Sequence, residues 1–232
     1  RSVNQVIERM DEDQRHRRLF LSAAAHEMRT PLTVLRTRLE MIDDAEYRER
    51  LVQDVQRLSS LVNQLLLLMG VRERRVENDI DLADIVRDVR DQHLSTAMER
   101  DVAIRLAMPK APVVRIGNGA LLAVAIGNLL ENALRFAPDG SEIVIGLDED
   151  ATITVSDSGP GLPADRIKDV FEPFVRLSKA RSGHGLGLAI VKAIAELHNG
   201  DVRVANRDEG GAIFTLRVGT TQPDTPERGF AK

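Results

Sequence analysis

The chain has 232 residues, enough for one large domain or two small ones. Its 32 basic and 36 acidic residues leave a formal charge of −4, which argues against a nucleic-acid binder held by bulk charge. Cysteine is absent, which excludes disulfides and thiolate chemistry, and no uninterrupted apolar run approaches the roughly 18 residues that span a bilayer.

Residues 1–74 are rich in Leu, Arg, Glu and Gln and contain a single glycine, Gly70. Leu32, Leu35, Leu39 and Ile42 recur at spacings of 3, 4 and 3. Tyr47, Leu51, Val55, Leu58, Val62, Leu65 and Met69 recur at 4, 4, 3, 4, 3 and 4. Both are heptad-like seams. Asp43–Asp44 separates them, and Asp43 with Glu46 offers a capping pair for the second helix. The pattern predicts an antiparallel helical hairpin. Two helices cannot bury both seams alone, so a four-helix bundle made by a dimer is the simplest solution. A hairpin packed on its own second domain is the alternative. Pro31 stands inside the first helix, where a proline costs about 3 kcal/mol or more. It removes the bond to the Glu27 carbonyl, so we expect a bend just after His26.

The charged stretch "VRERRVENDID" (71–81) reads as a linker. From Asp81 the periodicity predicts an amphipathic helix, then a strand in "VAIRLAM", then a buried helix in "NGALLAVAIGNLLENALRF". "EIVIGLDEDATITVSD" reads as a hairpin, "LGLAIVKAIAELHN" as a helix and "DVRVANRDEGGAIFTLRV" as a second hairpin. Strand pairs interleaved with helices predict an α+β sandwich, a sheet covered by helices on one face. The expected organisation is a hairpin over 1–74, an α/β sandwich over 75–218 and a disordered tail over 219–232.

Three stretches carry chemistry. On the buried helix, Asn128, Asn132 and Arg135 fall within about 60° of one another, with Ile126, Leu129, Leu130 and Ala133 on the other side. Amide oxygens are hard ligands suited to Mg²⁺, and arginine suits phosphate. An ordinary amphipathic helix has the same pattern. After the strand "ATITVS" comes "DSGPGLP", where Asp157 can accept from an amino group and Gly159 and Gly161 permit close approach of a ligand. Its loose match to G-x-G-x-x-A is spoiled by Pro160 and Pro163. Finally, Gly183, Gly185 and Gly187 lead straight into a helix, where bare N–H groups make an anion site. Arg176, Lys179 and Arg181 before them read either as a basic lid or as a solvated loop.

The arrangement N-x-x-x-N, D-x-G-x-G, F-E-P-F and G-x-G-L-G-L, in this order, resembles the ATP-binding domain of sensor histidine kinases. "HEMRTPL" (26–32) is similar to that family's phosphoacceptor box, H-E-x-R-T-P-L. The resemblance runs over roughly 15–218, with small departures at Ala25, Met28 and "HNG" (198–200). It implies that His26 accepts phosphate from ATP, that Glu27 orients or deprotonates the imidazole, and that Thr30 positions water for phosphatase action. It further implies Asn132 as the principal Mg²⁺ ligand with Asn128 helping, Arg135 near the phosphates and Phe136 packing on adenine. By the same resemblance Asp157 is expected to bind the adenine amino group, and Gly183, Gly185, Leu186 and Gly187 to frame the triphosphate. The implied partners are a second copy of the chain and the receiver domain of a response regulator, with no nucleic acid. Residues 1–17 resemble the end of a HAMP module, so the expected parent is an inner-membrane sensor with this chain as its cytoplasmic portion. A chain acting chiefly as a regulator phosphatase, and a non-catalytic ATP-binding dimeric scaffold, are the competing expectations.

Overall fold

The computed structural model describes Leu35 and residues 44–71, 78–176 and 185–219. The chain divides into two compact units, Arg1–Gly70 and Val71–Lys232. In the first, helix α1 spans Ala45–Gly70. Its cap is Asp44 rather than the expected Asp43: the Asp44 carboxylate accepts from the Tyr47 N–H at 3.0 Å. Two adjacent aspartates offer the same chemistry, and the register of the helix selects the second. Tyr47, Leu58, Leu65 and Met69 of the expected seam are exposed along α1, while Val55 is buried. The first arm of the expected hairpin, with His26, Glu27, Thr30 and Pro31, lies outside the described residues.

The second unit contains β1 (Asn78–Asp81), α2 (Leu82–Glu99), β2 (Ala103–Ala107), β3 (Val114–Gly117), α3 (Gly119–Phe136), β4 (Glu142–Leu147), β5 (Thr152–Ser156), α4 (Gly187–Leu197), β6 (Asp201–Asn206) and β7 (Ala212–Arg217). Five strands form a sheet in the order β2-β4-β5-β7-β6, with β2 parallel to β4 and the other pairings antiparallel. Both expected hairpins are present as β4–β5 and β6–β7. Strand alternation gives the sheet one buried face. Ile143, Ile145, Leu147, Ile153, Val155, Ala212, Phe214 and Leu216 all point into it. Across the strands they form rows, Ile145–Val155–Phe214 and Leu147–Ile153–Leu216. Each such large side chain stabilises the fold by about 1.5–3 kcal/mol. A slip of one residue in any strand would turn its row out to solvent.

The helices cover that face. The stretch "NDID" at the end of the expected linker is instead β1, paired antiparallel with β3 in a separate ribbon. Ile80 is its one apolar side chain, and it packs on Gly117, where a Cβ would lie 2.5 Å from Ile80 Cδ1. Asp81 caps α2 by accepting from Ala83 N–H at 2.9 Å and also accepts from Val113 N–H at 3.1 Å. Asn118 caps α3 through Leu121 N–H at 3.1 Å. Helix α3 is long and apolar enough to cross a membrane by length and composition alone. Its apolar residues, among them Leu121, Leu122, Ala125, Ile126, Leu129 and Leu130, are buried within this fold.

Helix α4 ends where Asn199 takes φ 49°, a left-handed conformation that asparagine tolerates. This accounts for "HNG" physically: the first of the two positions after His198 needs left-handed backbone, whereas a Cβ at Gly200 would collide with the Arg217 carbonyl. His198 itself is fully buried. Its Nδ1–H faces the Ile194 carbonyl at 2.8 Å, and its Nε2 accepts the Asn118 N–H at 3.0 Å. That pair of bonds requires the neutral ring. Burial holds the His198 pKa below the ordinary histidine value, so the unfolded chain takes up a proton before the folded one. The stabilisation is complete above about pH 6.5 and is lost as pH falls toward the lower folded value. We expect His198→Gln, which keeps an acceptor for Asn118, to flatten this part of the pH dependence. Thermal unfolding of both proteins between pH 7.5 and 5 measures it; parallel curves would refute the assignment.

Candidate functional site

The expected division of α3 is present. Ile126, Leu129, Leu130 and Ala133 are fully buried, while Asn128, Asn132, Arg135 and Phe136 are half-buried on the opposite side. Helix α4 runs antiparallel to α3. His198 meets Asn118 at one end, and at the other a Cβ at Gly187 would lie 2.6 Å from Asn128 Oδ1. The glycine is therefore what allows α4 to start against the polar face of α3. Asn128 also donates from Nδ2 to the Val124 carbonyl at 2.8 Å. No hydrogen bond joins the Asn132 side chain to another described residue.

The loop after β5 closes the other end of this surface. A Cβ at Gly159 would lie 2.9 Å from both the Phe136 carbonyl and Asp157 Oδ1, so the loop packs directly on the last turn of α3. Asp157 is buried, with 3% exposure. Its Oδ1 accepts from Gly159 N–H at 2.7 Å and from Ala212 N–H at 3.4 Å. Burial holds its pKa above the ordinary carboxylate range, opposed by those two bonds and by the nearby Arg207 charge. A raised carboxyl pKa means that ionisation of Asp157 costs the fold stability as pH rises. A buried carboxylate retained at such a cost is a marker of a functional site.

Helix α4 supplies the third side. Leu186 is fully buried, and among the described residues no side chain caps the helix behind it. The first N–H groups of α4 thus emerge uncapped beside Asn128. Gly185, at φ 73°, accepts the Phe174 N–H at 2.8 Å. Phe174 has φ 64° and is 61% exposed, an unusual backbone for an aromatic residue and one that stores strain. Lys192 of α4 pairs with Glu172 at 3.0 Å and anchors this segment. Burial lowers the Arg135 pKa, Glu131 opposes the shift, and the positive charge of Arg176 adds to it. Two guanidiniums that repel one another beside an uncapped helix start make a surface suited to an anion.

Two polar amides and Arg135 of α3, the buried carboxylate of the loop after β5, the N-terminus of α4 and Arg176 of the segment before it thus come together from four parts of the unit. Of the residues singled out in the sequence, Asn128, Asn132, Arg135, Phe136, Asp157, Gly159, Gly161, Gly185, Leu186 and Gly187 belong to this one unit. Gly183, with Lys179 and Arg181, lies outside the described residues. Three residues the sequence did not single out also bear on the site. Arg100 donates to the Leu134 carbonyl and, at 3.0 Å, to the Ala137 carbonyl, bracketing Arg135 and Phe136. Asn206 and Arg207 hold the loop after β5.

The family model for histidine kinase-, DNA gyrase B- and HSP90-like ATPases matches residues 117–222. That for the His Kinase A phospho-acceptor domain matches residues 16–69. The sensor histidine kinase GtrS of Pseudomonas aeruginosa is 33% identical over 225 residues, covering 94% of this chain and 45% of that protein. The chain belongs to the sensor histidine kinases. The sensor protein QseC of Escherichia coli is 34% identical over 224 residues, 90% of this chain and 49% of QseC. This kinase chain therefore spans about half the length of such curated relatives. Among solved structures, the histidine kinase AdeS of Acinetobacter baumannii is 25% identical with a TM-score of 0.64, over 85% of this chain and 98% of that one. Within the kinase, His26, Glu27 and Thr30 fall in the span of the phospho-acceptor domain, and the surface just described falls in the span of the ATPase domain.

Proposed function

We propose that this kinase core transfers the γ-phosphoryl group of ATP to His26 and passes it on to an aspartate in the receiver domain of a response regulator. The observation that carries the reading is the meeting of the α3 polar face, the Asp157 loop and the uncapped start of α4 in one unit, in a chain whose other unit contains His26. Asp157 accepts the amino group of adenine and Phe136 packs on the ring. Arg135, Gly183, Gly185, Leu186 and Gly187 surround the phosphates. The neutral imidazole of His26 attacks the γ-phosphorus, the bond to the bridging oxygen breaks, and ADP leaves. Glu27 accepts the proton released from the ring. The phosphoramidate P–N bond then breaks as the regulator's aspartate takes the phosphoryl group. Thr30 holds a water for the reverse task, hydrolysis of the phosphorylated regulator.

The residues present fit Mg²⁺. Among the described residues no three His, Asp or Glu cluster as a metal cage, and Mg²⁺ held with ATP needs only one or two protein ligands beside the phosphates. Asn132 would supply that oxygen. Asn128, whose Nδ2 is already bonded to Val124, assists through Oδ1. The ion would neutralise charge on the phosphates.

The histidine-bearing region is assigned to 1–74, the nucleotide region to 75–218 and the tail to 219–232. We assign dimerisation to the first of these, because Tyr47, Leu58, Leu65 and Met69 need a cover. The parent is read as a membrane sensor whose HAMP-like segment leads into this chain. Incubation with γ-labelled ATP and a phosphorylated regulator tests the function. Acid-labile, base-stable label on the chain is expected. Loss of label from the regulator alone would instead favour a phosphatase, and neither result would favour a scaffold. Sedimentation of the full chain should give a dimer, and a fragment lacking 1–74 should be a monomer that still binds ATP. A monomeric full chain at micromolar concentration would refute the dimer.

A further inference from the structure

The end of β6 and the turn that follows it contain two residues that belong to no nucleotide motif, yet each bonds to the loop that carries Asp157. Asn206 ends β6. Its Oδ1 accepts the Leu162 N–H at 2.8 Å, and its Nδ2 donates to the Leu162 carbonyl at 2.8 Å. A side-chain amide thus pairs with a backbone residue as a neighbouring strand would. That takes one acceptor and one donor on a single planar group, which aspartate, serine and alanine lack at this length. Gly161 makes room for the contact: at φ 72°, a Cβ there would lie 2.8 Å from Asn206 Oδ1. Arg207 follows. Its Nη1 donates to the Asp157 carbonyl at 2.8 Å. The Asp157 N–H in turn donates to the Ala212 carbonyl at 3.0 Å. Both ends of the 157–162 loop are therefore tied to one end of the β6–β7 hairpin, Asp157 by Arg207 and Leu162 by Asn206.

We propose that Asn206 and Arg207 are positioning residues for recognition of the base: they hold the 157–162 loop so that the Asp157 carboxylate meets the amino group of adenine, and so set the preference for adenine over a 6-oxo purine. The inference rests on the reading of Asp157 as the base contact. An ionised carboxylate only accepts hydrogen bonds. Held in place, it rewards the 6-amino group and repels a 6-oxo oxygen. Released by even a fraction of an ångström to one ångström, it loses both effects together. The guanidinium of Arg207 also favours the ionised form of Asp157 against the effect of burial. Loss of either brace thus lowers discrimination between bases, whereas loss of a merely structural contact weakens both nucleotides alike.

The test is calorimetric titration of the full chain with ATP and with inosine triphosphate, for wild type, Asn206→Ala, Arg207→Gln, Arg207→Lys and Asp157→Asn. Asn206→Ala and Arg207→Gln should each lower the ratio of ATP to inosine triphosphate affinity about tenfold, the loss of one well-placed hydrogen bond. Arg207→Lys, which keeps the charge and a donor, should recover most of the ratio. Arg207→Gln should also move the pH at which ATP affinity falls off upward, because Asp157 loses a neighbouring positive charge. Equal weakening of both nucleotides, or an unchanged ratio in both brace variants, overturns the proposal. Asp157→Asn separates the two levels. If it leaves the ratio intact, the base-contact reading fails and the positioning role falls with it. If it collapses the ratio while the brace variants do not, only the positioning role fails. Should Arg207→Gln not fold, judged by its melting curve, Asn206→Ala decides alone.

Discussion

His26→Gln will abolish labelling of the chain from γ-labelled ATP while leaving nucleotide affinity unchanged. The imidazole offers a localised nitrogen lone pair to phosphorus. A glutamine amide does not, since its nitrogen lone pair is delocalised into the carbonyl. The glutamine variant therefore keeps size and polarity and loses the nucleophile, and the rate should drop by about 10³-fold or more. Binding should survive because His26 belongs to the first compact unit, whereas Asn132, Asp157 and Gly187 belong to the second. The linkage itself is diagnostic: a phosphoramidate hydrolyses in acid and persists in base. Undiminished or acid-stable label on the variant would remove His26 as the acceptor.

Asn132→Asp should cripple autophosphorylation with the fold intact. The side chain is half-buried and bonds to no other described residue, so an isosteric change disturbs no contact that holds α3. What changes is charge. A carboxylate about 5 Å from a phosphate repels it by roughly 3 kcal/mol at an effective dielectric near 20. That corresponds to a loss of about two orders of magnitude in affinity or rate. Calorimetry with Mg²⁺ and ATP should show the weaker binding, and melting curves should overlay those of wild type. Unchanged Mg²⁺-dependent affinity would move the metal site away from this helix.

Much of the fold was legible because strong local patterns coincide with tertiary demands. The core face of α3, Ile126, Leu129, Leu130 and Ala133, is a helical period, and the pairs β4–β5 and β6–β7 are alternations around polar turns. Strand β1 was not legible. "NDID" has one apolar residue, and it becomes a strand because Ile80 finds Gly117 and Asp81 finds Val113, more than 30 positions away. The capping aspartate of α1 was missed by one residue, since Asp43 and Asp44 differ only in their relation to a helix register. In the candidate site, residues that form short motifs stood out: the asparagine pair, the Asp157 loop and the glycines before α4. Arg100, Asn206 and Arg207 did not, nor did the buried structural role of His198. Each acts on a backbone group 34 to 80 residues distant in sequence, and a polar residue at a turn or helix end reads as solvated when its partner is so remote. The phosphoacceptor box lies outside the described residues, and its reading rests on the sequence and on the span of the phospho-acceptor domain.

The pairing of β5 with β7 has a consequence for how this unit assembles. Asp157 and Ala212 are hydrogen-bonded neighbours yet 55 residues apart. The Asp157 loop, Phe174, α4 and Asn206 all lie on the chain between them. The surface proposed for nucleotide is complete only once that long loop has closed, a non-local event that is slow compared with forming either hairpin. The same closure makes the ligand a reporter on the sheet. Nucleotide at 100 times its dissociation constant stabilises the closed state by about 2.7 kcal/mol. Amides in the middle of β5 and β7, which meet across the sheet at Thr154 and Thr215, should then exchange with solvent about a hundredfold more slowly wherever exchange requires that loop to open.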